Sequence, residues 1–311
     1  MIRTIHSSIL FFALLASLSA KEWPTKFSPS AALGKHQTLD PEGELHRYAT
    51  KNYLIESSTP LDRTKLTDFA KTIESVAVVI KSIPLPLYSP PAQNRPRILI
   101  CPDETSFVRA GGPKGFAGYY SGRDARVLIR WDQLYPASGI ARPMDDLLVH
   151  ELAHLCMTNI LWRCPPWFHE GVAEYLAAAH LGAGRFRFTE IENEIENHVE
   201  KHHPPESKIA NALDPAVLLT LTERAWHTQT KEAVDWESFE PYTSSLLLIH
   251  YAFHGGAERR AEVKNYLESL DEVITRRSPQ PVLFAPSQAK DLKEKLTRFW
   301  STRGLRLQFK K

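Results

Sequence analysis

His150-Glu151-Leu152-Ala153-His154 is where this chain concentrates groups that can do chemistry. On a helix, residues four apart lie one turn apart on one face, so the two imidazoles can grip one metal ion together. Glu151, next to the first histidine, is placed to reach a water on that ion rather than the ion itself. The two intervening residues and the flanking Leu147, Leu148, Val149 and Leu155 are uncharged, as expected of a buried ligand-bearing helix. Zn2+ suits such a donor set, because imidazole nitrogen and carboxylate oxygen can hold it with one position left open for catalysis.

Two histidines leave a catalytic zinc site one protein ligand short. Trp167-Phe168-His169-Glu170-Gly171-Val172-Ala173-Glu174-Tyr175 offers that ligand, Glu170, on a second helix. Fifteen residues separate His154 from Glu170, enough for one helix to end, the chain to turn at Pro165–Pro166 and the next helix to begin. Gly171 is expected to let these two helices approach closely. Glu174, one turn after Glu170, can accept the outer N–H of a metal-bound histidine, which orients the ring and fixes its tautomer. The bland alternative makes His150 and His154 hydrogen-bonded core residues; two carboxylates at helical spacing weigh against it.

The remaining histidines promise less. His250 and His254 repeat the four-residue spacing without an adjacent acid, so packing, or lining the cleft, is expected of them. His202–His203, between Lys201 and Pro204, read as exposed loop, and His169 as either cleft or surface. The charged run from Glu190 to Glu200 reads as a solvated helix face.

HELAH followed by WFHEGVAEY resembles the gluzincin metallopeptidases, in which HExxH is completed by a glutamate on the following helix. Within them the pattern is most similar to secreted bacterial peptidase MA-like proteins. More distantly it is similar to the zinc aminopeptidases, whose second motif has a comparable W-x-x-E-G-x-A-x-Y form. The motifs cover residues 143–181, with weaker similarity of pattern from the strand near 48 to the helix near 254. The resemblance implies a zincin-like fold, Zn2+ held by His150, His154 and Glu170, and Glu151 as general base. It also implies a tyrosine at a helix start that stabilises the oxyanion. Tyr242 in Pro241-Tyr242-Thr243-Ser244-Ser245 stands at a matching position, with simple packing as the alternative. The Gly-x-Met-Glu-Asn segment with which aminopeptidases bind a free amine is missing, for Gly115-Phe116-Ala117-Gly118-Tyr119-Tyr120 carries no acid. An endopeptidase acting on peptide or protein substrates is therefore expected. The alternative is a catalytically inactive zincin-fold module that binds peptide or cell-wall material.

An α+β architecture must position these groups. Residues 46–200 are expected to form a small mixed sheet with the HExxH helix and the Glu-bearing helix. Strand character appears at Tyr48–Ser57, Arg97–Cys101 and Arg126–Trp131, the last expected at the sheet edge along the cleft. Leu66, Phe69, Ile73, Val76, Ile80 and Ile83 recur every three or four residues and predict a helix over 62–83. The prolines of 84–96 end it. Pro143 opens a helix running to about Asn159, and another runs from Trp167 to about Leu181. Residues 201–311 read as mainly helical, at 213–224, 240–254, 257–270 and 288–303, packing on the same catalytic domain. Residues 21–45, with Pro24, Pro29, Gly34, Pro41 and Gly43, read as a loosely ordered lead-in.

Composition narrows the class. Hydrophobic residues at 43% and charged residues at 24% exclude a mainly disordered chain. Against 36 Asp+Glu, 38 Lys+Arg give none of the basic excess of a nucleic-acid binder. No run reaches the ~18–20 apolar residues that span a bilayer. Residues 1–20, with Arg3, the apolar run Ile9–Leu18 and the small Ser17, Ser19 and Ala20, read as a signal peptide. Export to the periplasm or beyond is expected, with the mature chain starting near Lys21. In an oxidising compartment Cys101, Cys156 and Cys164 allow one disulfide plus a free thiol, or three buried thiols. A Cys156–Cys164 bridge would fix a short turn.

Overall fold

The computed structural model describes residues 22–91, 95–136, 145–201, 209–232, 239–276 and 281–310. The leader at 1–20, the helix start at Pro143 and the pair His202–His203 lie outside them. Among the described residues no helix is long and apolar enough to cross a membrane.

The described residues open with β1 (Lys26–Phe27), β2 (Gln37–Glu42), β3 (Leu45–Ala49) and β4 (Leu54–Ser57). Then come α1 (Arg63–Ser82), β5 (Arg97–Cys101), α2 (Glu104–Arg109), β6 (Gly118–Ser121) and β7 (Arg126–Arg130). The lead-in at 21–45 thus holds two strands rather than loose chain. β2 pairs antiparallel with β3, and main-chain pairing of this kind forms without a side-chain periodicity that the sequence could show. The strand expected over 48–57 is instead a hairpin whose turn is tied down by α1. There Glu74 accepts from Thr50 Oγ1 at 2.6 Å and from the Asn52 backbone N–H at 2.7 Å.

The main sheet runs β2-β3-β4-β5-β7-β6, with β4, β5 and β7 parallel and β6 antiparallel to β7. Alternation sorts the side chains of β5 and β7. Ile98, Ile100, Val127 and Ile129 enter the main core with Phe69, Ile73 and Val76 of α1. Leu99, Cys101 and Leu128 gather instead around Phe107 of α2. A strand apolar on both faces belongs in the sheet interior, which is why Arg126–Arg130 does not form the edge. That place falls to β6, whose Tyr119 and Tyr120 are half-buried.

Helices follow: α3 (Trp131–Leu134), α4 (Asp145–Cys156), α5 (Thr158–Leu161) and α6 (Pro166–Ala179). β8 (Phe186–Arg187), α7 (Ile191–Lys201) and β9 (Ile209–Leu213) come next. The chain then forms α8 (Pro215–Leu218), α9 (Glu223–Glu232), α10 (Glu240–His254), α11 (Ala257–Arg276), α12 (Ala289–Ser301) and β10 (Arg306–Lys310). The C-terminal part is mainly helical, but the single helix expected over 213–224 is broken into the end of β9, the one-turn α8 and the start of α9, and β9 and β10 pair in parallel. α4 packs on β6, β7, α1 and α6, and α6 packs in turn on α10. α6 opens with Pro166 in its first turn, where the missing N–H would have no intrahelical partner anyway. Gly171 permits a close approach, but to α10 rather than to α4. A Cβ there would come within 2.5 Å of Ser245 O and Ile249 Cγ1.

All three cysteines are unbridged and buried, so the disulfide arrangement gives way to three core thiols. Cys156 Sγ lies 3.1 Å from the Tyr53 hydroxyl. Burial pushes the Cys156 thiol up to about 12.

Candidate metal centre

α4 is amphipathic in an unusual sense: Leu148, Val149, Leu152, Ala153 and Leu155 enter the core, while His150 and His154 are buried as well. Their Nε2 atoms converge to 3.1 Å. Glu170 Oε2, from α6, lies 3.1 Å from His150 Nε2 and 3.3 Å from His154 Nε2. Despite these short separations Glu170 Oε2 is buried and accepts no hydrogen bond, so the triangle leaves an unpartnered carboxylate oxygen between two imidazole nitrogens. A small tetrahedral cation with donors at ~2.0–2.1 Å would hold those donors ~3.3 Å apart. The three residues therefore form a group that could hold a metal ion, their ligand atoms all lying within 4.8 Å of one another.

Glu174 stands behind this triangle. Its Oε1 is 2.9 Å from His150 Nδ1, and its Oε2 is 2.6 Å from Nε2 of His198 on α7. With Nδ1 of His150 turned to Glu174, Nε2 is the nitrogen left facing Glu170 and His154. Burial alone would raise Glu170, but His154 and His150 hold it well below the ordinary carboxylate range. Glu174 is likewise raised by burial and then carried far below that range by His150 and His198. Burial would lower His150, but Glu170 and Glu174 lift it well above its usual value. In His154 burial prevails over Glu170, and the pKa falls. Two carboxylates kept ionised in a buried place make a setting for positive charge.

Glu151 faces β6. Burial pushes its carboxyl up to about 7, opposed by His150 and by a hydrogen bond from the Tyr120 backbone N–H. The strand lies so close to α4 that a Cβ on Gly118 would come within 3.0 Å of Glu151 Cγ. A carboxyl titrating near neutrality can accept and return a proton. Tyr242 occupies the first turn of α10, its ring 6.1 Å from that of His150 and crossed edge-on by Trp226 of α9. Burial, then the charge of Glu170, push its hydroxyl far up, so it remains a donor.

His169 faces the cluster rather than the surface. It is buried, its ring is 5.4 Å from that of His154, and its Nε2 is 3.0 Å from Glu223 Oε1 on α9. Sequence reasoning missed Glu223 and the part played by Gly118, which no spacing signals. It also missed His198, because 190–200 was read as a solvated face. One side of α7 is in fact buried through Ile191, Ile195, His198 and Val199. The apolar spacing of 191, 195 and 199 was the available signal.

The second histidine pair has an acid after all, supplied in space by α7. His250 Nε2 lies 3.2 Å from Glu192 Oε1, which also meets Arg303 Nε at 3.2 Å. His254 Nε2 is 2.9 Å from the Tyr175 hydroxyl, which accepts the Trp23 indole N–H at 3.1 Å. Set against protein-family models, curated proteins and solved structures, the chain finds no match.

Proposed function

We propose that the chain is an exported zinc-dependent metallopeptidase of gluzincin type, with a zincin-like fold, that cleaves within peptide or protein substrates. The triangle of His150 Nε2, His154 Nε2 and Glu170 Oε2, at 3.1–3.3 Å, is the observation that carries this reading. Those three residues would hold the ion, and Glu174 would keep His150 in the tautomer that binds it. When bound, zinc supplies Lewis-acid polarisation of a carbonyl and lowers the pKa of a water toward ~7.

The remaining steps belong to the chain's own side chains. Glu151, anchored by the Tyr120 backbone N–H, takes the proton released as water attacks the peptide carbonyl. It then delivers that proton to the leaving nitrogen. The Tyr242 hydroxyl, kept protonated, donates to the oxygen on which negative charge develops. β6 ends the sheet beside Glu151 and offers its outer edge to an extended main chain, which gives affinity with little side-chain selectivity. This favours cleavage inside a chain over capture of its terminus.

Zinc content and casein cleavage of the mature protein, wild type against Glu151→Gln, test the reading. One equivalent of zinc in both proteins, with cleavage by the wild type alone, is expected. A wild type that binds zinc and cleaves nothing would instead favour a peptide-binding module.

A further inference from the structure

We propose that His198 is a positioning residue of the metal centre, acting through Glu174 on His150; the inference rests on the zinc reading above. Glu174 is held at both oxygens, by His150 Nδ1 at 2.9 Å and by His198 Nε2 at 2.6 Å. With only the first contact, the carboxylate could swing about its last torsion and take the His150 ring with it. The second contact fixes the plane of the carboxylate. That fixes the direction of the His150 Nε2 lone pair, 3.1 Å from Glu170 Oε2.

The placement of His198 argues for this task over packing. It shares the buried face of α7 with Ile191, Ile195 and Val199, where an aliphatic side chain would bury without loss. An imidazole buried there is unfavourable unless hydrogen-bonded. Glu174 provides that bond, so the polar group is matched to the carboxylate rather than to the core. α7 is also pinned at both ends, so the donor has a fixed origin. Glu192 meets His250 and Arg303, and Lys201 meets Asp146 of α4 at 3.2 Å.

The test uses the mature full chain with His198→Gln, which keeps an N–H donor, and His198→Leu, which keeps buried volume only. Zinc affinity and the rate of zinc transfer to a chelator are measured for each, with circular dichroism and urea unfolding of the zinc-free proteins as controls for folding. Losing such a partner weakens metal binding about 10–100-fold. His198→Leu should therefore bind zinc at least about 10-fold more weakly, while His198→Gln stays within about 3-fold of wild type. In a Glu174→Ala background, His198→Leu should add less than about 2-fold, because its route to the metal is gone. A packing role predicts the reverse order, with Leu tolerated and Gln harmful. Should His198→Leu fail to fold, His198→Asn, too short to reach Glu174, takes its place with the same expected loss.

Wild-type affinity in the donor-free variants, or an undiminished loss in the Glu174→Ala background, overturns the inference while leaving the zinc reading intact. A wild type that takes up no zinc overturns both.

Discussion

His150 and His154 on α4 and His250 and His254 on α10 share their spacing and a nearby carboxylate, yet their rings are put to opposite uses. On α4 the rings stand edge to face, 4.8 Å apart at 81°, and their Nε2 atoms meet. On α10 they lie more nearly parallel, 4.6 Å apart at 31°, and their Nε2 atoms part toward Glu192 and Tyr175. The difference lies in which nitrogen the neighbours take. Glu174 engages Nδ1 of His150 and leaves Nε2 for the centre, whereas on α10 the Nε2 atoms are already consumed. Helical spacing places two rings on one face; the adjoining helices decide whether their lone pairs converge.

The most direct way to break this contrast is to remove one histidine from each pair. His154→Ala should abolish zinc binding at micromolar metal, while His250→Ala should retain one equivalent, both read by metal analysis after dialysis. Zinc retained by the first variant, or lost from the second with folding intact, would erase the distinction. Next in size is Glu151→Gln, which should keep zinc and lower kcat by about 10²–10⁴-fold, the usual worth of a positioned acid–base group. Glu174→Gln sharpens the comparison more gently. It should hold zinc at saturation yet weaken the affinity about 10–100-fold, seen as faster loss to a chelator. Chelator sensitivity equal to wild type would remove Glu174 from the centre.

The centre was largely legible because helical periodicity is local. His150, Glu151, His154, Glu170 and Glu174 lie on two neighbouring helices, and the structure brings all five together. What lay beyond the sequence came from distant segments. His198 reaches Glu174 from α7, Glu192 reaches His250 from the same helix, and Tyr120 reaches Glu151 from a strand thirty residues upstream. Pairing of this kind depends on which elements cross, and no short window records it. The edge strand was misplaced for a related reason. Arg126–Arg130 reads as a strand, but only the cluster on its far face, around Phe107, reveals that it is interior. The lead-in strands and the 48–57 hairpin were missed because main-chain pairing and one buried Glu74 hold them, not an alternation of apolar residues.

The smallest expected effect concerns the second pair and follows from its neutrality. Burial carries His254 down to about 3 and lowers His250 as well. The groups around His254 are Tyr175 and Trp23, His250 on its own helix, Glu192 of α7, and the more distant Arg260 and Arg303. Of these only Glu192 favours a proton on the ring, and it is outweighed. An unfolded chain protonates this histidine as pH falls below ~6.5, whereas the folded protein does not until about 3. Between those values the unfolded state binds more protons. The stabilisation is therefore complete above ~6.5 and is lost progressively as pH falls toward 3. One such group accounts for about 1 kcal/mol between pH 6.5 and 5.5. His254→Gln cannot titrate and retains an amide to meet Tyr175, so its stability should fall by about that much less over this interval. Urea midpoints of wild type and variant at the two pH values measure the difference. Identical slopes would mean that His254 takes up its proton in the folded protein as readily as in the unfolded one. The α10 pair would then no longer be a closed, neutral counterpart to the convergent pair on α4.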